Sequence, residues 1–149
     1  MRFHLIDRIE SWEPDRHITA RKVTSVTEET WQSGPDGPVL PFGLALEALC
    51  QTGSWLFLLS TGHRQRAALL GVDQVTEHRS VRPGDTLRMT ADVVGRHDGA
   101  AVLDGTVSVD GEPVLRAEGI MCALIDAERL DDPADTARMA EALLGRRPV

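Results

Sequence analysis

The candidate chemistry of this chain centres on Glu47, the one carboxylate in the apolar segment Phe42–Ser60. An unpaired carboxylate is costly to bury, so its presence in such a segment indicates either a partner or a catalytic role. Gln51 follows one helical turn later and is placed to orient the carboxylate or a substrate. Carboxyl groups in such surroundings are suited to general acid–base work, so Glu47 and Gln51 are the first candidate catalytic residues.

The segment that carries Glu47 is predicted to be a helix over residues 42–60, because it is long and rich in Leu and Ala. It is apolar on nearly all sides, so most of its surface should be buried by the rest of the chain. Alternating or β-branched runs predict strands over residues 3–12, 17–26, 67–79, 86–94, 100–109 and 112–126. An antiparallel sheet that curves around the central helix would bury it, so the predicted class is α+β.

Two further segments complete the predicted chain. Residues 31–41 contain three prolines and two glycines and are predicted to be a loop that leads into the central helix. Asp132 followed by Pro133 predicts the start of a C-terminal helix, with Asp132 as its N-cap. Met139 and Leu143 are its predicted packing face, with Ala140 as a further candidate.

Composition limits the classes of partner. The chain has 149 residues and a formal net charge of −7, which suits a single soluble domain and argues against binding nucleic acid or an anionic membrane. The N-terminus lacks the apolar core of a signal peptide, so a cytoplasmic protein is expected. Cys50 and Cys122 are predicted to be free thiols. None of the five histidines has metal-ligand spacing, so no metal site is predicted.

Several short motifs resemble the hotdog-fold 3-hydroxyacyl-acyl carrier protein dehydratases. That family carries the pattern H-F-P-x-x-P-V-M-P-G before a helix with E-A-x-x-Q. Here Pro38-Val39-Leu40-Pro41 is similar to P-V-M-P, and Glu47, Ala48 and Gln51 occupy the helix positions. Further likeness lies around residues 3–8, 71–87 and 117–124. The resemblance implies a dimeric hotdog domain over residues 1–126, with a C-terminal helical extension over residues 127–149.

The resemblance also implies a substrate and a site. The family binds 3-hydroxyacyl or 2-enoyl thioesters on the phosphopantetheine of acyl carrier protein, in fatty-acid or polyketide biosynthesis, and needs no further cofactor. A His from the proline-rich loop of one subunit removes the C2 proton, while a Glu on the central helix of the other handles the leaving hydroxyl. Backbone N–H groups at the helix start hold the thioester carbonyl, which makes Pro41, Phe42 and Gly43 substrate-binding candidates. Trp55 is the fourth substrate-binding candidate, because it lies either in the core or in the lining of a tunnel for the acyl chain.

One departure from the family pattern concerns the catalytic base. The position of the family His is occupied by Ser33, and a serine hydroxyl is not a general base near neutral pH without an activating group. Ser33 therefore stays a candidate catalytic residue only if another group in the folded protein activates its hydroxyl. Three interpretations follow: a heterodimer in which a His-bearing relative faces Glu47, a homodimer that acts as an acyl-thioester isomerase or thioesterase, or a non-catalytic acyl-binding scaffold.

Overall fold

The computed structural model describes residues 3–146. Eight strands and two helices follow one another in the order β1 (Arg8–Glu13), β2 (His17–Val23), β3 (Gln32–Gly34), β4 (Gly37–Val39), α1 (Phe42–Ser60), β5 (Gln65–Glu77), β6 (Thr86–His97), β7 (Ala100–Val109), β8 (Glu112–Asp126) and α2 (Pro133–Leu143). A 3-10 turn over Ala127–Arg129 joins β8 to α2. The division of the chain into residues 1–126 and 127–149 stays a prediction, and residues 1–2 and 147–149 lie outside the described part.

Six of the strands form one antiparallel sheet in the order β1-β2-β6-β7-β8-β5. β6, β7 and β8 are neighbours in sequence and in space, joined by tight turns at Asp98-Gly99 and Asp110-Gly111. The remaining two strands, β3 and β4, form a small separate hairpin. The prediction of an irregular loop over residues 31–41 was therefore wrong in part, because a three-residue strand is too short to show a periodic pattern.

The helix α1 lies against the concave side of the sheet and contacts all six of its strands. Six strands spaced about 4.8 Å apart span roughly 24 Å, more than twice the width of a helix, so the sheet must curve for all of them to reach α1. Leu49, Leu56 and Phe57 are fully buried in this contact. The α+β hotdog arrangement, with one central helix wrapped by an antiparallel sheet, is thereby confirmed.

The expectation that α1 is buried on most sides holds only for its C-terminal half. Residues 52–58 are all buried, whereas Phe42, Gly43 and Glu47 in the first turns are exposed in the described chain. A single curved sheet covers one side of a helix, and the opposite side of the first turns stays open. By length and composition α1 would also suit a membrane span, but it packs against all six strands of the sheet, as the core helix of a domain does.

Gly105 on β7 lets α1 approach the sheet closely. A Cβ atom added there would lie 2.7 Å from Leu49 Cδ1 and 3.0 Å from the Thr90 carbonyl oxygen. The leucine side chain and the backbone of β6 therefore fill the space that any side chain would need. We expect Gly105→Ala to lower the free energy of unfolding by about 1–3 kcal/mol, the usual cost of overpacking a core.

Urea unfolding followed by circular dichroism measures this change. Gly95→Ala on β6 is the matched control, because a Cβ atom at that position has no neighbour within 4 Å. An unfolding midpoint for Gly105→Ala equal to that of Gly95→Ala would contradict the close packing of α1 on β7.

The helix α2 packs against β1, at the edge of the sheet, and faces α1 across a groove. Its N-cap is Asp132, whose carboxylate accepts a hydrogen bond from the Ala134 N–H at 2.8 Å, as predicted. Ala140 and Leu143 are buried, which confirms that part of the predicted packing face, and Thr136 joins them. The predicted Met139 is only half-buried, because it faces the groove described below.

Candidate active site

A groove of about 650 Å³ runs along the side of α1 that the sheet leaves open. Its floor is one face of α1, with positions three or four residues apart: Glu47, Gln51, Ser54, Trp55 and Leu58. Phe3 and His4 border it at the N-terminal end of the chain. The other wall is formed by α2 and the residues just before it, together with Arg66 at the start of β5. Segments near the two ends of the described residues 3–146 therefore meet over the central helix.

Gln51 joins three parts of this groove by hydrogen bonds. Its Nε2 donates to Glu47 Oε1 at 3.1 Å and to the Phe3 carbonyl oxygen at 2.9 Å. Its Oε1 accepts from the Leu5 N–H at 2.9 Å. The amide thereby fixes the backbone on both sides of His4 and orients the carboxylate of Glu47. These contacts give the predicted orienting role of Gln51 a geometric basis.

Glu47 lies on the open face of α1, where its side chain is exposed. The initial expectation of a buried carboxylate was therefore wrong for the described chain, because periodicity within α1 does not reveal which side a single sheet leaves uncovered. Exposure gives the carboxyl group direct access to a molecule in the groove. Its hydrogen bond to Gln51 limits the rotamers that it can adopt.

The first turn of α1 offers free backbone donors near Glu47. Pro41 is the N-cap residue, and no side chain in residues 3–146 caps this end of the helix. Phe42 and Gly43 are exposed, and a Cβ atom added at Gly43 would have no neighbour from another part of the chain within 4 Å. Free N–H groups and the partial positive charge of a helix N-terminus suit a carbonyl oxygen that gains negative charge. This geometry is compatible with the substrate-binding role predicted for Pro41, Phe42 and Gly43.

Ser33 lies apart from the groove, on the β3–β4 hairpin. It is exposed and pairs in register with Pro38. The hairpin is held in place by the Leu40 N–H, which donates to the Val81 carbonyl oxygen at 2.9 Å, and by Arg82, which donates to the Asp36 carbonyl oxygen at 2.9 Å. Within residues 3–146, Ser33 does not line the groove that contains Glu47. One chain therefore does not bring the two predicted halves of the site together in one groove.

Trp55 lines the groove with its indole ring largely buried, 8% exposed. It is thus both core and groove lining, two roles that the sequence pattern left open. Sequence reasoning did not include His4, Arg66 or Met139 among the site residues. They come from segments far apart in the chain, and no local pattern indicates that these segments meet over α1.

Cys50, which follows Glu47 on α1, is half-buried and free, as is the buried Cys122. Burial raises the pKa of the Cys50 thiol to about 12, and the nearby charge of Glu47 adds to the shift. The thiol therefore stays protonated at neutral pH and is a poor nucleophile. In residues 3–146, no group of three or more His, Cys, Asp or Glu side chains is arranged to hold a metal ion.

Comparison with solved structures supports the fold. The chain is similar to the protein smu.793 from Streptococcus mutans bound to acetyl CoA, with a TM-score of 0.63 and 21% identity, over 83% of this chain and 92% of that one. It is also similar to a hypothetical thioesterase with coenzyme A from Streptococcus pneumoniae, with a TM-score of 0.59 and 19% identity, over 78% of this chain and 84% of that one. Identities this low indicate a common fold alone.

Sequence comparison is more specific. The chain is 36% identical over 125 residues to a 3-hydroxyacyl-[acyl-carrier-protein] dehydratase FabZ from Janthinobacterium sp. (strain Marseille), covering 80% of each protein. It is 39% identical over 116 residues to the protein of the same name from Latilactobacillus sakei, covering 76% of this chain and 83% of the relative. A family model for the FabA-like domain matches residues 1–118. Together with the helix-centred sheet, these matches show that the chain belongs to the FabA-like family of hotdog-fold 3-hydroxyacyl-acyl carrier protein dehydratases.

Proposed function

We propose that this protein takes part in the dehydration of 3-hydroxyacyl thioesters carried on acyl carrier protein, in fatty-acid or polyketide biosynthesis. The observation that carries the proposal is the placement of Glu47, which is exposed in a groove, oriented by Gln51 and one turn from an uncapped helix N-terminus. The names of the relatives supply the reaction class. The cytoplasm is the proposed location, and the carrier-bound substrate needs no additional cofactor or metal.

The proposed reaction needs three groups. A base removes the proton from C2, and the electron pair first develops negative charge on the thioester oxygen. The backbone N–H groups at Phe42 and Gly43 are suited to stabilise that charge. The C3–oxygen bond then breaks as the C2–C3 double bond forms, and the carboxyl group of Glu47 gives its proton to the leaving hydroxyl, which departs as water. Glu47 regains a proton from solvent, and the base releases the one it took.

The base is proposed to come from a second subunit. Ser33 occupies the position that the sequence pattern assigns to the family His, and a serine hydroxyl does not accept a proton near neutral pH without help. Within residues 3–146, Ser33 lies outside the groove of Glu47. A His-bearing relative that faces Glu47 across a dimer interface would complete one site per heterodimer.

The edge strand β5 is the proposed dimer interface. It has 13 residues, lies at the edge of the six-stranded sheet and carries the exposed side chains of Leu69 and Leu70. Long edge strands with exposed apolar residues tend to pair with other chains, because their backbone N–H and C=O groups are unpaired. Pairing with the edge strand of a second subunit covers these groups and the apolar side chains. Such pairing would also cover part of Met121, which is exposed on the adjacent β8.

The experiment is to assay the chain alone and with a co-expressed His-bearing relative, using 3-hydroxyacyl groups on acyl carrier protein. Formation of the 2-enoyl thioester is followed by mass spectrometry. We expect turnover by the pair and no turnover by this chain alone. Full activity of the chain alone would contradict the heterodimer. In that case His4, which lines the groove with Glu47, is the first residue to substitute.

The same assay separates the other interpretations. Release of the free acid from the carrier would indicate a thioesterase, and a shift of the double bond in a 2-enoyl substrate would indicate an isomerase. Retention of the acyl carrier without any chemical change, alone and with the relative, would indicate a scaffold. Each of these outcomes replaces the dehydratase proposal, because none of them produces the 2-enoyl thioester from the 3-hydroxyacyl substrate.

A further inference from the structure

The helix α2 forms one wall of the groove that contains Glu47. Asp135, Thr136, Met139 and Ala142 lie along this wall, one helical turn apart or less. The family match ends at residue 118, so α2 lies beyond the part that the chain has in common with the FabA-like domain. The wall is therefore a feature that the family pattern does not supply.

The wall is anchored to the rest of the fold by buried side chains and by an ion pair. Ala140 and Leu143 are 1% and 5% exposed, so the opposite side of α2 is anchored in the core. Arg66 on β5 forms an ion pair with Asp131, which fixes the segment that leads into the helix. A wall that is anchored in the packed core is suited to select ligands by size, because moving it would disrupt that packing.

The stripe that α1 contributes to the groove changes from polar to apolar along its length, and the ion pair of Arg66 and Asp131 also lines the groove. Glu47 and Gln51 are at one end of the stripe on α1, and Trp55 and Leu58 are at the other. The rise of an α-helix places Leu58 about 16 Å from Glu47 along the helix axis. Met139 and Ala142 of α2 also line the groove. Arg138, paired with Asp135, is largely exposed and therefore lies at the rim.

We propose that this groove holds the acyl chain of the substrate and that α2, through Met139, sets the chain length that the site accepts. The thioester end lies near Glu47, a placement that rests on the proposed function. The alkyl chain lies along α1 towards Leu58, between Trp55 and the wall of α2. Met139 is then a specificity-determining residue, since it is the largest apolar side chain on that wall.

The test measures binding separately from turnover. Isothermal titration calorimetry of the full-length protein uses S-butyl, S-octyl and S-dodecyl pantetheine, thioethers that cannot be hydrolysed or dehydrated. Affinity should rise with chain length, because each buried methylene adds roughly fourfold. Met139→Trp narrows the groove, so we expect the S-dodecyl affinity to fall about tenfold, with the S-butyl affinity unchanged.

Two further variants keep the test decisive. Glu141→Trp adds the same bulk to an exposed position of α2 outside the groove and should leave all three affinities unchanged. Ala142→Phe narrows the groove one turn further on, at an exposed position that tolerates a larger residue, and replaces Met139→Trp if that variant fails to fold.

The outcomes distinguish this inference from the dehydratase proposal. An equal ratio of S-dodecyl to S-butyl affinity in the wild type and the narrowed variant would overturn the role of α2. So would a lack of binding by all three thioethers. A chain-length profile that shifts as expected, in a protein without dehydratase activity alone or with a partner, would support the groove and reject the proposed reaction.

Discussion

Replacing Glu47 with Gln should abolish dehydration by the assembled enzyme. Glutamine keeps the size of the side chain and can still bond with Gln51, but it cannot give a proton to the leaving hydroxyl. General acid–base groups typically contribute about a hundredfold to ten-thousandfold in rate, so we expect a loss of at least about a hundredfold in kcat. The rate of 2-enoyl thioester formation, measured with saturating acyl carrier substrate, checks this.

Two controls separate this effect from a structural one. Glu47 is exposed, so Glu47→Gln should leave the thermal unfolding midpoint within error of the wild type. Glu13→Gln removes another exposed carboxylate, on β1 at the opposite edge of the sheet from β5 and outside the groove, and should leave the rate unchanged. A Glu47→Gln variant with the wild-type rate would reject Glu47 as the acid.

If the proposed lack of a base limits this chain, replacing Ser33 with His should give a homodimer of the chain dehydratase activity of its own. Ser33 is exposed on β3, so an imidazole fits there without displacing core residues. With Glu47 in place on the partner chain, both groups of the site would then be present. A histidine with an ordinary pKa serves as a base near neutral pH, so the activity should appear from an undetectable background.

The control for this gain is Gln32→His. Neighbouring residues on a strand point to opposite faces, so Gln32→His puts the same imidazole on the other side of the hairpin and should remain inactive. The double variant Ser33→His/Glu47→Gln should be inactive as well. A folded, dimeric Ser33→His variant without activity would show that the missing histidine is not what limits this chain.

The sequence was sufficient for the elements with long, regular patterns. The bounds predicted for α1, β7 and β8 agree with the structure to the residue, because each has a sustained apolar or alternating pattern and a turn signal at its end. The hairpin of β3 and β4 was missed, since each strand has only three residues and the segment is rich in proline. Its pairing depends on Arg82 and Val81, which lie far along the chain.

The candidate site could be predicted only in part. The spacing of Glu47 and Gln51 indicated an oriented carboxylate, and the hydrogen bond between them has the expected partners. The exposure of Glu47 could not be predicted, because it depends on how far one sheet reaches around α1. The groove also escaped prediction. Phe3 and Met139 are separated by nearly the whole chain, and only the folded structure brings them to the same helix.

The free edge of β5 has a consequence for the handling of this protein in the cell. A 13-residue strand with exposed Leu69 and Leu70, and with no neighbour on one side among residues 3–146, is a template for strand addition. A chain whose β5 edge is not covered, as the proposed dimer would cover it, is therefore exposed to aggregation and degradation. If the proposed heterodimer forms, matched synthesis of its two subunits would protect solubility as well as activity.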